Sequence, residues 1–286
     1  MKLAKDEIAL PNNLACPGCG ASLAMRLALK ALGRDTVIVI PACCWTIING
    51  PVGKNYAGVP VFHTAFETTA AVASGIRASF KMQGKDHINV VGWAGDGGTF
   101  DIGLQALSGA AERNDDILYV CYDNEAYMNT GIQRSSATPY FAQTTTTPEG
   151  KNRPKKDLMG ILAAHFVPYI ASASLAYPQD FAKKFEKAKS IKGFKFIHIF
   201  VPCPPGQKFQ EDKTIEVAKL AVETGVFPLY EIINGKYVLS KKPKFVDITE
   251  YLKLQGRYKN LTEENIEFLR QAIKTRWEYL NKRFNE

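Results

Sequence analysis

The sequence predicts an α/β fold built on a mainly parallel sheet flanked by helices. Three observations point there. Short apolar runs, rich in β-branched residues, alternate with longer stretches of helical periodicity, as in strand–helix–strand units. Two polar motifs, Gly95-Asp96-Gly97-Gly98 and Asp123-Asn124, each follow such a run directly. Twenty-six residues lie between Gly97 and Asn124, about the length of one crossover between parallel neighbours.

The elements follow in order. Leu23, Leu27 and Ala31 repeat on one helical face, and Gly33 is placed to cap that helix. Thr36 to Ile40 reads as a buried strand ended by Pro41. Residues 64–82 read as a helix whose small residues Ala65, Ala70, Ala71, Ala73, Ser74 and Gly75 suggest close packing on another backbone. His87 to Gly92 is a second strand, Asp101 to Arg113 a third helix, and Ile117 to Tyr122 a third strand. Residues 132–155 form a long polar stretch with four consecutive threonines and Pro139, Pro148 and Pro154. Such a loop is either functional or a surface excursion. Val167 to Ala171 and Phe196 to Val201 read as further strands. The tail changes character from about Phe227. Asn234-Gly235 between two apolar runs signals a hairpin. Thr262 then caps a final helix carrying Ile266, Leu269, Ile273, Trp277 and Leu280. Residues 1–226 are expected to form the main domain, and 227–286 an extension packed on it or on a partner subunit.

Composition excludes several classes. The 286 residues are 46% hydrophobic and 22% charged, which rules against a disordered chain and allows a sizeable core. No apolar run approaches the roughly 20 residues of a membrane helix. The stretch Met1 to Glu7 lacks the apolar segment of a secretory signal. A cytoplasmic chain with no membrane partner is expected. The net charge of +8 comes largely from lysines scattered after residue 150. No arginine-rich strip marks nucleic-acid binding, and none is expected.

Cysteines carry more information. Cys16-Pro17-Gly18-Cys19-Gly20 holds two thiols three positions apart in a turn-forming stretch, so both sulfurs can face one centre. Cys43-Cys44 follows the first strand and Cys203 follows Val201-Pro202. Strand ends in an open α/β sheet converge on one crevice. Cys16, Cys19, one of Cys43 and Cys44, and Cys203 can therefore meet. Four thiolates suit tetrahedral zinc or a 4Fe–4S cluster, and spacing does not choose between them. Cys121 lies inside a strand and reads as buried packing.

The second constellation is the Gly95-Asp96-Gly97-Gly98 turn with Asn124. Asp96 offers a hard carboxylate oxygen and Asn124 a carbonyl oxygen. With a backbone carbonyl, these suit Mg²⁺ holding a diphosphate. The glycines let backbone N–H groups approach the phosphates near a helix N-terminus.

Together these motifs, with Asp123-Asn124-Glu125-Ala126-Tyr127-Met128-Asn129-Thr130-Gly131 and Val201-Pro202-Cys203-Pro204-Pro205-Gly206, resemble the β subunits of the 2-oxoacid:ferredoxin oxidoreductases, most nearly the pyruvate branch. The resemblance covers essentially the whole chain. It implies a thiamine-diphosphate-binding fold with a C-terminal hairpin and helix. It implies that Asp96, the Asn124 side chain and the Ala126 carbonyl hold Mg²⁺, with Gly95, Gly97 and Gly98 along the diphosphate. Asn129 would face the thiazolium and substrate. Cys16, Cys19, Cys44 and Cys203 would hold a 4Fe–4S cluster beside the cofactor. Cys44 is preferred because 24 residues separate it from Cys19, as in the family, and the adjacent Cys43 departs from the pattern. Asp123 is a second departure, standing where the family often has asparagine. The implied reaction is reversible oxidative decarboxylation of pyruvate with coenzyme A, giving acetyl-CoA and CO2, with electrons leaving singly to ferredoxin. Partners of α, γ and δ type are implied. The family's catalytic glutamate comes from another subunit or domain, so the chain alone is expected to be inactive. Glu67, read as lying in the first turn of its helix, and Glu125 are the in-chain candidates for that role. Other 2-oxoacids (2-oxoisovalerate, 2-oxoglutarate, oxalate) and a zinc-stabilised, non-catalytic α/β protein are the alternatives.

Overall fold

Eight apolar segments pair into one sheet in the computed structural model, which describes residues 6–51 and 53–285. The strands are β1 (Thr36–Pro41), β2 (Val61–Thr64), β3 (Asn89–Gly95), β4 (Leu118–Asp123), β5 (Tyr169–Ser174), β6 (Lys195–Phe200), β7 (Leu229–Ile233) and β8 (Lys236–Lys241). Their order is β2-β1-β3-β4-β6-β5-β7-β8. The first six run parallel, while β7 pairs antiparallel with β5 and β8 antiparallel with β7. The parallel strands alternate between two cores, because successive side chains leave opposite faces. Ile38, Ile40, Val120 and Tyr122 pack beneath α1 (Gly20–Leu32) and, further along the chain, Phe181 and Phe185 of the Pro178–Ser190 helix. Val39, Tyr119 and Cys121 face the other way, with Ala70, Leu107, Ala110 and Leu162. Both faces are covered, which is why these strands read as apolar runs.

The helices follow from local signals. Gly33 closes α1 at φ +87, its N–H donating to the Leu29 carbonyl at 2.9 Å. Next comes the short α2 (Cys44–Ile48), directly beyond β1. The helix expected over 64–82 is shorter: α3 spans Thr69–Met82. Residues 61–64 instead form β2, a four-residue edge strand with Phe62 exposed. Glu67 consequently lies in the turn before α3 and not in its first helical turn. Ala70 and Ala73 of α3 are buried, whereas a side chain at Gly75 would meet open space, so the close packing is confined to part of the small-residue stretch. The helix expected from Asp101 is also interrupted. Gly97–Asp101 makes one wide turn, with Ile102 N–H donating to the Gly97 carbonyl, before α4 (Leu104–Glu112) begins. Beyond β4 come α5 (Leu158–Ala163), α6 (Pro178–Ser190), the four-residue α7 (Pro204–Gln207) and α8 (Thr214–Glu223).

Residues 132–155 are not a surface excursion. They carry no long helix or strand, yet Ser135, Ala137, Thr138 and Lys151 are buried. The Lys151 ammonium donates to the carbonyls of Ser136, Thr138 and Pro154 at 3.1, 2.5 and 3.1 Å, tying the loop to itself.

The tail continues the sheet. Asn234 and Gly235 adopt φ +48 and +81, the mirror-image turn that matches strand twist. After the short α9 (Thr249–Leu252) comes α10 (Glu263–Asn285). Thr262 caps it: its hydroxyl accepts the Asn265 N–H, and the Asn265 side chain accepts the Thr262 N–H, both at 3.2 Å. Trp277 and Leu280 are buried, and Trp277 Nε1 donates to the Gly225 carbonyl at 2.9 Å. Among the described residues no helix is long and apolar enough to cross a membrane. Residues 1–5 of the charged N-terminal stretch lie outside the described residues.

Trp277 joins α10 to the rest of the molecule through both area and a hydrogen bond. Trp277→Ala is expected to lower stability by about 3–5 kcal/mol, read by urea unfolding followed in the far ultraviolet. A loss below about 1 kcal/mol would show that α10 docks without contributing to global stability.

Candidate functional site

The sheet order reverses direction about β1, whose neighbours β2 and β3 lie on opposite sides. A crevice opens where strands end at such a switch point. Into it run the segments after β1 (Ala42, Cys43, Cys44), β3 (Asp96, Gly97, Gly98), β4 (Asn124, Glu125, Ala126) and β6 (Pro202, Cys203). Two cavities occupy it. The larger, of about 490 Å³, is lined by Gly95, Gly97, Gly98, Asn124, Tyr127 and Asn129, among others. The smaller, of about 200 Å³, is lined by Cys16, Cys19, Cys44 and Cys203 with Met128 and Pro202.

Space in the larger cavity depends on its glycines. A Cβ on Gly97 would stand 2.3 Å from the Tyr127 ring, and one on Gly98 would stand 3.1 Å from Phe66. Tyr127 cannot simply swing away, because its hydroxyl donates to Asp101 Oδ2 at 2.8 Å. The same carboxylate oxygen accepts the Ser136 N–H at 3.0 Å. The helical turn begins at Gly97, directly after Asp96, and both Gly97 and Gly98 line the larger cavity.

Asp96 is buried, and Ser135 Oγ donates to its Oδ2 at 2.5 Å. Burial, and then the negative charge of Asp123, push its carboxyl well above the usual range, against the Ser135 hydrogen bond. A cation beside it would reverse that balance. One atom of the Asn124 amide group stands 2.9 Å from both Asp96 Oδ1 and the Ala126 carbonyl oxygen. Turned one way, the amide nitrogen donates to both. Turned the other way, three oxygens converge. Octahedral Mg²⁺ has metal–oxygen bonds of about 2.0–2.1 Å, which sets neighbouring oxygens about 2.9 Å apart. The donor set and its spacing fit that ion, and what fills the gap decides the amide orientation.

Behind this loop lies a buried group of charges. Asp123 Oδ2 meets Lys155 Nζ at 2.5 Å and His198 Nε2 at 2.7 Å. Burial raises the Asp123 carboxyl, but Lys155 and His198 outweigh it and hold the group down at about 2. Burial pushes His198 below its ordinary value, against the pull of Asp123. Glu125 binds Lys155 at 2.8 Å and Arg257 at 2.6 Å. With both carboxylate oxygens so engaged, Glu125 points away from the larger cavity and into the charge group.

The cysteine cavity is built by tight turns. Cys19 N–H donates to the Cys16 carbonyl at 3.0 Å, and Gly18 has φ +69. A Cβ on Gly18 would also land 2.2 Å from the Glu211 carbonyl oxygen, so both conformation and space demand glycine. Cys203 directly precedes α7, whose Gln207 N–H donates to the Cys203 carbonyl at 2.8 Å. Burial, then the neighbouring thiols Cys43, Cys203 and Cys19, push the Cys44 thiol up to about 12. Cys203 is pushed up to about 12 by burial and by Cys19 and Cys16. Such crowded thiols ionise together only with positive charge among them. Cys43 behaves differently. It precedes α2 and lines only the larger cavity, together with Tyr122. Among the described residues, no three His, Cys, Asp or Glu side chains are grouped tightly enough to hold a single metal ion.

The cavities share a wall. Cys44, Ile47, Asn124, Met128 and Asn129 line both. Asn129 Nδ2 donates to Cys44 Sγ at 3.5 Å across it. Cys121 is buried in the second core, away from both cavities. Sequence reasoning brought forward Asp96, Asn124 and the cysteines, but missed Ser135, Lys155 and Arg257. These reach the site from the long loop and the tail, across 39, 32 and 132 residues to Asp96, Asp123 and Glu125 respectively. No local periodicity announces such contacts.

Known proteins agree with this geometry. Residues 50–199 match the family described as thiamine pyrophosphate enzyme, C-terminal TPP binding domain. The chain is 55% identical to the ketoisovalerate oxidoreductase subunit VorB of Pyrococcus abyssi, over 97% of this chain and 93% of that one. It is 50% identical to the pyruvate synthase subunit PorB of Methanocaldococcus jannaschii, over 96% of each. The fold is similar to that of the 2-oxoglutarate:ferredoxin oxidoreductase of Magnetococcus marinus, with a TM-score of 0.61, 21% identity, and coverage of 75% of this chain and 79% of that one. A thiamine pyrophosphate-binding sheet with this site at its switch point, and half or more of its residues shared with such relatives, makes the chain a member of the family of pyruvate synthase and ketoisovalerate oxidoreductase subunits.

Proposed function

We propose that the chain is the thiamine diphosphate- and 4Fe–4S-binding subunit of a pyruvate:ferredoxin oxidoreductase, forming acetyl-CoA and CO2 reversibly. The observation that carries this reading is the wall shared by the two cavities at Cys44 and Asn129. Asp96, the Asn124 side chain and the Ala126 carbonyl would hold Mg²⁺, with Gly95, Gly97 and Gly98 along the diphosphate. Cys16, Cys19, Cys44 and Cys203 would hold the cluster. In a 4Fe–4S cluster each thiolate takes its own iron, so a ring of thiols around a cavity suits it better than it suits one zinc. Bound there, thiamine diphosphate supplies the means to cleave the carboxyl–carbonyl bond, and the cluster takes up electrons one at a time.

The protein's own residues orient and shield. Gly97 and Gly98 leave room for the diphosphate, Tyr127 and Phe66 wall its cavity, and Asn129 reaches both cavities from one position. Residues 1–226 carry these sites and 227–286 form the extension, which returns Arg257 to the metal loop. Subunits of α, γ and δ type would supply the remaining electron relay and the catalytic glutamate, since Glu125 is bound by two cations. Ferredoxin would take the electrons and coenzyme A the acyl group; the Magnetococcus enzyme was solved with coenzyme A bound. Six free cysteines suit a reducing compartment, the cytoplasm. A second reading, 2-oxoisovalerate as substrate, is favoured by the 55% identity to the Pyrococcus subunit.

Two variants in the purified complex test the site. Asp96→Ala should lose thiamine diphosphate and Mg²⁺ while keeping its iron. Cys203→Ser should lose iron while still binding thiamine diphosphate. Parallel loss of both from both variants would contradict two separate sites. Substrate is read from kcat/KM under anaerobic conditions. Pyruvate should exceed 2-oxoisovalerate by at least tenfold, given about 10–200-fold per methylene in an apolar pocket. The reverse ratio would establish the second reading.

A further inference from the structure

Two cations from distant parts of the chain, the half-buried Lys155 and the buried Arg257, converge on the loop that carries two of the three oxygens assigned above to Mg²⁺. Glu125 stands between them in sequence, separating Asn124 from Ala126. It adopts φ +69, a left-handed conformation that side chains other than glycine rarely hold. Every polar group of this residue is engaged. Its N–H donates to Asp123 Oδ1 at 2.9 Å, and its carbonyl accepts Thr138 Oγ1 at 2.6 Å. Its carboxylate takes Lys155 on one oxygen and Arg257 on the other, at 2.8 and 2.6 Å. Lys155 also spans to Asp123 at 2.5 Å. Arg257 is 3% exposed, and its Nε donates to Gln255 Oε1 at 3.0 Å. With Glu125 turned left-handed, the Asn124 amide and the Ala126 carbonyl come within 2.9 Å of each other.

We propose that Lys155 and Arg257 are positioning residues for the metal loop, clamping Glu125 in the left-handed turn that aims Asn124 and Ala126 at Asp96. The inference rests on the Mg²⁺ and thiamine diphosphate reading above. It has a sign of its own. As bare charges near a cation site, Lys155 and Arg257 would repel Mg²⁺, and their removal would tighten its binding. As clamps, their removal loosens it.

The test uses the anaerobically purified complex, stripped of thiamine diphosphate and Mg²⁺ by chelation. Thiamine diphosphate binding is then titrated calorimetrically at stepped MgCl2 concentrations. In Lys155→Met and Arg257→Met the Mg²⁺ needed for half-saturation should rise about 10–100-fold, as for other residues that orient metal ligands, with iron content unchanged. Arg257→Lys keeps the charge but loses the fork, and should fall between Arg257→Met and wild type. Glu125→Gly removes the anion that Arg257 faces and takes the left-handed turn at no steric cost. On that background Arg257→Met should change the Mg²⁺ requirement less than threefold, a coupling that only action through Glu125 predicts. An unchanged or lowered Mg²⁺ requirement in the single variants would overturn the clamp. So would loss of iron and cofactor together, which marks a merely structural role. Wild-type complex that binds no thiamine diphosphate with Mg²⁺ would sink the function reading and this inference with it. Normal binding by wild type and variants alike sinks the clamp alone.

Discussion

Parallel pairing of β1, β3, β4 and β6 is the constraint on which the rest of the site depends. Parallel strands present all their carboxyl ends at one edge of the sheet. The registers Val39 with Gly92, Gly95 with Tyr122, and Asp123 with Phe200 bring the four loops of the site level. A strand slipped by one residue would turn the core side chains to the wrong face. It would also separate Asp96 from Asn124. The two covered faces of the sheet therefore specify the site as well as the fold.

Chemistry is then divided by the side chains at that edge. Gly95, Gly97 and Gly98 line the larger cavity alone, and Cys16, Cys19 and Cys203 line the smaller alone, with the Cys44–Asn129 wall between them. Hard cations take oxygen, and iron clusters take thiolate. Burial holds Asp96, Cys19, Cys44 and Cys203 toward their protonated forms. The carboxylates of Asp123 and Glu125 are satisfied within the protein, by Lys155, Arg257 and His198.

Much of this was readable in the sequence. The central strands announced themselves because both of their faces are buried. The hairpin at Asn234-Gly235 and the cap at Thr262 are local and carry their own residue signatures. Asp96, Asn124, Cys44 and Cys203 could be grouped from the sequence because each lies just beyond a strand, and strand ends converge. β2 was not readable: its four residues alternate no face clearly, and Phe62 is exposed on an edge. The break between Asp101 and Leu104 was hidden as well, because a wide turn keeps the composition of a helix. Ser135, Lys155 and Arg257 looked like loop and tail residues, since only the folded chain brings them to Asp96, Asp123 and Glu125. The sequence preferred Cys44 over Cys43 by its spacing from Cys19; in the fold Cys44 lines both cavities and Cys43 only the larger.

The central claim is that oxygen and sulfur sites on this one chain hold a thiamine cofactor beside an iron–sulfur cluster. The most direct measurement is the content of iron, acid-labile sulfide, zinc and thiamine diphosphate per copy of this chain after anaerobic purification with its partners, the chain then being separated for metal analysis. The account predicts about four iron and four sulfide on the chain, and one thiamine diphosphate per copy. One zinc, no sulfide and no thiamine diphosphate would contradict it.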